Sequence, residues 1–354
     1  MMKRSYTKYF AAIFILASLF SCKKDNNETL PTLGGSIYLS LPAFVTAGET
    51  FEIELGGEHL KSTVYRNEAG GIGYYFYDSK LAKRDTVRKE SQPLTDPVKY
   101  TLVCQEEIGS FTLTCGAYAS GYYSVTDIAT LNLVDPAPGR SLTGFEEHED
   151  DLHFTDSRDD RSYLAVKIGS LYWMRQNLAW EGAGRSYLSS LKDYRTPGVS
   201  AISTIFGRYY SWEEAKGACP EGWRLPSAAE LAEMVSAVNA IPVADALSDI
   251  DGVAGSLMGK DLEFNGNKLW LYWRDVEITD KSTLSLMPTG YAINTVEGLY
   301  SFHGYGSYSA LWTSSEKDGR GVYRYIFEKY PILYCGLGDK ESLSIPVRCV
   351  KSAE

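Results

Sequence analysis

The chain has 354 residues, with 35 Lys and Arg against 45 Asp and Glu and a formal net charge of -10. That balance gives a polyanion no long-range attraction, which excludes nucleic acid as the expected partner class. Twenty-six tyrosines and 32 glycines, with no long amphipathic stretch at helical spacing, point to a β-rich fold.

Lys3, Arg4 and Lys8 precede an apolar run from Tyr9 to Phe20. The run is too short to cross a bilayer as a helix and has the flanks of a cleavable leader. It ends at Leu19-Phe20-Ser21-Cys22, which resembles the bacterial lipobox. Residues 1–21 therefore read as a lipoprotein signal peptide, with Cys22 lipidated as the new N-terminus and the lipid as the membrane contact. Residues 22–34 are polar and read as a tether. Their Cys-Lys-Lys-Asp start resembles the export tag of Bacteroidetes lipoproteins, so the expected location is the outer membrane, facing the cell surface. The chain has six cysteines, so an odd number remains beside Cys22 and at least one thiol stays unpaired, in a compartment where disulfides persist.

Residues 35–136 alternate with period two. Ile37, Leu39 and Leu41 share one parity, as do Phe51, Ile53 and Leu55, then Tyr100, Leu102 and Cys104, then Phe111, Leu113 and Cys115, and finally Leu131 and Leu133. Gly56-Gly57, Gly70-Gly71 and Gly109-Ser110 read as the turns between these short strands, and the expected unit is an all-β, Ig-like sandwich. Its closing stretch resembles the Ig-like modules of Bacteroides surface lipoproteins, which usually act as spacers. Cys104 and Cys115 share inward parity, which leaves two arrangements open. They form a disulfide across the core, strained if a tight Gly109-Ser110 hairpin sets them opposite each other, or they stay as buried thiols acting as small hydrophobes.

Residues 137–154 combine Pro and Gly with the acidic run Glu146, Glu147, Glu149, Asp150 and Asp151, and read as a solvated linker. The spacing matches no regular calcium loop, and no metal or other cofactor is expected.

Residues 155–352 carry ordered motifs. Leu171-Tyr172-Trp173-Met174-Arg175-Gln176-Asn177-Leu178 is followed by Gly207-Arg208-Tyr209-Tyr210-Ser211-Trp212 and Cys219-Pro220-Glu221-Gly222-Trp223-Arg224-Leu225-Pro226-Ser227. Met287-Pro288-Thr289-Gly290-Tyr291, Leu311-Trp312-Thr313-Ser314-Ser315 and Ile345-Pro346-Val347-Arg348-Cys349 complete the series. The order resembles the Fibrobacter succinogenes major paralogous domain. That family is similar to the C-type-lectin-like fold also used by formylglycine-generating enzymes, which implies an α+β domain with few helices and a multidomain chain. Read locally, Ser211–Ala218 is a short helical run ending near Pro220. Ser227 and Glu230 have capping-box spacing, ahead of an apolar helical face of Leu231, Met234, Val235 and Val238. Cys219 and Cys349 sit inside matched motifs, so the resemblance implies a disulfide between them, with Cys335 left as a thiol.

Formylglycine-generating enzymes use a close pair of reactive cysteines, which this domain lacks in sequence, and His303 is the only histidine beyond the linker. The expectation is a non-catalytic protein. Motif tryptophans read as core, whereas Trp180, Trp270 and Trp273 fall between motifs. The segment from Phe264 to Asp275, with Asn265, Asn267, Trp270, Tyr272 and Trp273, is the first candidate ligand loop: aromatic faces stack on sugars and amides bind hydroxyls. A buried strand with an aromatic stripe is the competing reading. Tyr291 and Tyr305 mark the next candidate. The expected role is binding a glycan or protein ligand at the cell surface, in association with a SusC/SusD-type nutrient importer. A fimbrial tip or adhesin subunit is the alternative.

Overall fold

The computed structural model describes residues 30–42, 44–61, 72–78, 83–90, 97–103, 108–135, 138–185, 200–296 and 299–353. The leader, Cys22, most of the tether, Cys104 and Gly70-Gly71 lie outside them. The described chain is mostly strand, in several sheets.

The first half holds β1 (Gly34–Ser40), β2 (Phe44–Thr46), β3 (Thr50–Lys61), β4 (Ile72–Asp78), β5 (Lys83–Glu90), β6 (Val98–Val103), β7 (Gly109–Tyr118) and β8 (Val125–Val134). They form two sheets, ordered β1-β3-β6 and β2-β8-β7-β4-β5. The inward parities read from the sequence supply the core between them: Ile37, Leu39, Phe51, Ile53 and Leu55 from one sheet, and Phe111, Leu113, Cys115, Leu131 and Leu133 from the other. Alternation works because successive strand side chains point to opposite faces.

Two turn assignments fail. Gly56-Gly57 lies inside β3, where Gly56 sits under the Tyr38 ring and an added Cβ would fall 2.1 Å from a ring carbon. Gly109-Ser110 opens β7 and makes no hairpin with β6: β6 pairs with β3, and β7 with β4 and β8. The tight hairpin that would strain a disulfide is therefore absent. Cys115 is a buried free thiol whose pKa burial, aided by Asp127, pushes up to about 12, so it packs as a small hydrophobe.

The second half begins with α1 (Pro138–Ser141), β9 (Leu142–Thr143), β10 (Leu152–Asp156), β11 (Arg161–Ile168), β12 (Leu171–Met174), α2 (Ser200–Phe206), β13 (Tyr210–Ser211), α3 (Trp212–Ala218) and α4 (Ala228–Asn239). It continues with β14 (Glu263–Phe264), β15 (Asn267–Lys268), β16 (Tyr291–Val296), β17 (Leu299–His303), β18 (Tyr308–Lys317), β19 (Arg320–Phe327), β20 (Leu333–Gly338), β21 (Leu343–Ile345) and β22 (Val350–Ser352). Four sheets result, ordered β10-β11-β12-β22, β13-β21-β16-β17, β15-β14-β9 and β18-β19-β20. The last strand pairs with β12, bringing the two ends of this half together.

Both α3 and α4 begin as their sequences dictate. Ser227 and Glu230 form the capping box, and α4 buries Leu231, Met234 and Val235. Ser211 and Glu214 make a second box at the start of α3. The bond between Cys219 and Cys349 is formed, joining the end of α3 to the residue before β22.

The connecting segment is not a solvated linker throughout. Residues 146–150 are exposed, but β9 joins β14 in a sheet, and Gly144, at φ +78°, lies so close to the second half that a Cβ would fall 2.2 Å from the Asp261 carbonyl oxygen. Asp151 is buried and ion-paired to buried Arg175. The halves also share an apolar cluster: Phe44 and Val134 from the first, and Ile202, Ile205, Phe206, Leu262, Phe264, Leu269 and Met287 from the second.

Candidate functional site

The motif residues with the greatest capacity for chemistry are internal. Arg175 and Arg348 are each 1% exposed and converge on one loop. The Arg175 guanidinium donates to Asp151 and to the Thr283 carbonyl, the latter 2.7 Å away. Arg348 donates to Asn177 Oδ1 at 2.8 Å and to the carbonyls of Leu284 and Ser285. Asp280, Thr283 and Ser285 all have positive φ, a conformation that costs L-residues energy. The guanidinium hydrogen bonds to the Thr283, Leu284 and Ser285 carbonyls help to hold it. Burial depresses the Arg348 pKa, to about 9, against the opposing pull of Asp280, and burial raises that of Asp280. This hub shapes the interior.

The first candidate loop divides by residue. Trp270 is 4% exposed and its indole N–H donates to the Leu286 carbonyl at 2.6 Å. It belongs to the core with Val276, so the buried reading holds for it. Asn265 donates to the Leu133 carbonyl at 2.9 Å, and the Asn267 amide reaches the Asn265 carbonyl at 3.2 Å and Ser110 Oγ at 3.5 Å. Both asparagines thus reach toward the first half of the chain. Tyr305 packs edge-on against Phe44, 5.9 Å between ring centroids, in the same seam.

Between the anchors Trp270 and Val276 the chain turns outward. Tyr272 is 85% exposed and Leu271 57%, Trp273 is half-buried, and Val276 N–H closes the turn on the Trp273 carbonyl at 3.1 Å. Against Trp273 stands the turn from Phe327 to Tyr330, closed by the Tyr330 N–H on the Phe327 carbonyl. Lys329 Nζ lies 4.8 Å from the Trp273 ring and 5.8 Å from the Phe327 ring, a cation–π clamp between the two elements. Tyr330 stacks on Phe327 at 6.0 Å and is exposed.

Phe327 is the register partner of Tyr308, where a row of half-buried rings begins. Tyr291, Tyr308, Tyr325 and Tyr334 follow one another at centroid spacings of 5.2, 5.2 and 4.9 Å. Exposed His303 flanks Tyr291 at 5.5 Å. Tyr323 covers Gly336 so closely that a Cβ there would meet the ring at 2.3 Å. Burial, with neighbouring phenols, raises the pKa of Tyr308 and of Tyr325. Of the sequence candidates, the structure brings Tyr272 and Trp273 together and places Tyr291 at the far end of the aromatic surface. Phe327, Lys329, Tyr330, Tyr325 and Tyr334 escape the sequence reading, although Tyr323, Tyr325 and Phe327 alternate with the period of a strand face. Among the described residues no three His, Cys, Asp or Glu side chains group as a metal site.

Residues 166–351 match the family model described as the Fibrobacter succinogenes major domain. No curated protein matches the chain. Solved structures similar to part of it include superoxide reductase (neelaredoxin) from Ignicoccus hospitalis, at 16% identity and TM-score 0.20, covering 28% of this chain and 80% of that one. A point variant of the same superoxide reductase gives 13% identity and TM-score 0.21, covering 28% and 81%. At these scores the likeness carries no argument about fold or activity.

Proposed function

The chain belongs to the Fibrobacter succinogenes major domain family, and on that premise we propose that it is a non-catalytic surface lipoprotein that binds a glycan or protein ligand. The observation that carries this reading is Tyr272, a large aromatic held 85% exposed on a loop fixed at both ends by buried Trp270 and Val276. An exposed ring on a rigid base is ready to bury against a partner at little entropic cost. The clamp at Lys329 and the tyrosine row extend that surface.

The remaining parts of the proposal follow from the chain order. The lipobox at Cys22 supports a lipid anchor, and the Cys-Lys-Lys-Asp start that follows supports an outward-facing place in the outer membrane, where a SusC/SusD-type importer, a class often accompanied by accessory lipoproteins, is the proposed neighbour. The facing sheets β1-β3-β6 and β2-β8-β7-β4-β5 suit an Ig-like first domain. The paired terminal strands and few helices suit a C-type-lectin-like second one. Glycan arrays and pull-downs with the mature chain test the binding role. Tyr272→Ala should abolish capture while leaving the circular dichroism spectrum unchanged. Finding neither ligand nor co-purifying partner, or undiminished capture by the variant, would reject it. Protease shaving of intact cells tests the outward location.

A further inference from the structure

We infer that the end of the first half where the tether enters is a membrane-docking surface, on which Leu30 and Tyr123 enter the headgroup layer of the bilayer that holds the Cys22 lipid. This rests on the lipid anchor proposed above and adds a second, non-covalent contact to it.

The argument starts from two exposed apolar side chains on one fixed edge. Leu30 is 48% exposed and Tyr123 54%. The segments that carry them are paired: the Tyr123 N–H donates to the Pro31 carbonyl and the Leu33 N–H to the Tyr123 carbonyl, each at 2.9 Å. Thr32, two residues after Leu30, faces Tyr123 across this parallel bridge. Leu33 and Tyr122, the neighbours of these residues, are buried in the sandwich core, so the exposed pair stands on a firm base.

Chain topology places the surface. β8 begins at Val125, two residues after Tyr123, and ends at Val134, which clusters with Phe44, Phe206 and Phe264 in the seam with the second half. The ten residues of β8 run about 33 Å, so the tether and the second half leave the sandwich at opposite ends. Leu30 follows Cys22 by only eight residues, a reach of at most about 29 Å at full extension. The tether thus keeps this end beside the lipid. A contact too weak to hold a free protein is populated when a short link raises its effective concentration.

The chemistry suits a lipid surface. Tyrosine is favoured at the boundary between membrane and water, where its ring is buried and its hydroxyl stays wet, and leucine adds apolar area. The net charge of -10 sets the chain as a whole against anionic lipid. Yet no charged residue occurs from Leu30 to Gly48 or from Ile108 to Thr126. The two segments that form this edge therefore approach a bilayer without charge repulsion and without desolvating a charge.

The test uses the whole mature chain, lipidated at Cys22 and reconstituted in vesicles of phosphatidylethanolamine and phosphatidylglycerol. A spin label is placed at Ser124→Cys, beside Tyr123, or at Glu233→Cys on α4, both exposed positions, in a Cys104→Ser, Cys335→Ser background. At position 124 oxygen should reach the label better than a water-soluble relaxant does, as at the headgroup boundary, while position 233 reads as aqueous. Leu30→Ser combined with Tyr123→Ser should keep the lipid and the Tm, yet lower the docked population about tenfold or more. An aqueous signal at 124 in the lipidated chain would overturn the docking surface and leave the anchor standing. So would equal immersion at 233, or a signal at 124 unchanged by the double substitution. Should the pair of substitutions lower the Tm, Leu30→Ser alone decides by the same reading. Immobilisation of the 124 label in vesicle-free solution, by a second copy or by an added envelope protein, would overturn the assignment to lipid. Failure of Cys22 to carry lipid in cells, read by mass spectrometry, would remove both the anchor and the surface.

Discussion

Phe44→Ala tests whether the two halves of the chain unfold as one body. The Phe44 ring is buried, with centroids 6.4 Å from Phe206, 6.0 Å from Phe264 and 5.9 Å from Tyr305, all in edge-to-face geometry. Each such pair is worth about 0.5–1.5 kcal/mol beyond area burial, and truncating a buried Phe to Ala costs about 3–5 kcal/mol in all. Those three rings belong to the second half, so the loss falls on the coupling between halves rather than on the sandwich core around Phe111 and Leu131. Calorimetry of the wild-type mature chain should give one cooperative transition. The variant should give two, the earlier one lower by roughly 5–15 °C. Phe111→Ala, inside the sandwich, serves as the control that lowers stability without relieving the seam. A single transition in Phe44→Ala, with Tm within about 2 °C of wild type, would refute the weld at Phe44, and two transitions already in the wild type would restore an independent spacer.

Replacing Cys219 and Cys349 together by Ala opens a bond across 130 residues of sequence. It should destabilise the chain by up to about 5 kcal/mol in the chain-entropy estimate, seen as a lower urea midpoint. Trp270→Ala and Tyr272→Ala, adjacent but for one residue, should separate sharply. The first loses about 3–5 kcal/mol of stability from the core, and the second changes it by less than about 0.5 kcal/mol, both read by thermal melts. Arg224 hydrogen-bonding, followed by that of Ser227, holds the Glu230 carboxyl at about 2, below its ordinary 4.5. A depressed carboxylate stabilises fully above the unfolded value and loses that contribution as pH falls from about 4.5 toward 2. Because Arg224 is half exposed, about 1 kcal/mol survives screening. Glu230→Gln should flatten the acid limb of the stability profile by that amount. Cys115, its thiol pKa raised to about 12 by burial, should resist alkylation in the folded protein and react in urea, as followed by mass spectrometry.

The sequence alone determined whatever is settled within a few residues. Parity placed Ile53, Leu113 and Leu133 in the sandwich core because a strand sends alternate side chains to opposite faces. Ser227 and Glu230 marked the start of α4 because a capping box closes within four residues. The ordered motifs identified the family through residues that now prove internal, Arg175, Asn177 and Arg348 among them. Only the tertiary structure decided what depends on distant partners. Trp270 and Tyr272 have similar local sequence, yet one meets Leu286 and the other meets solvent. Asn265 was spent on Leu133, which is 132 residues away. Gly56-Gly57 became strand because Tyr38 lay across it. The Trp273–Lys329–Phe327 clamp joins elements far apart in sequence, and Glu328 acquired its buried, unpartnered oxygen only there. Local geometry is encoded in neighbouring residues, whereas burial and the pairing of polar groups depend on which distant segments fold against them.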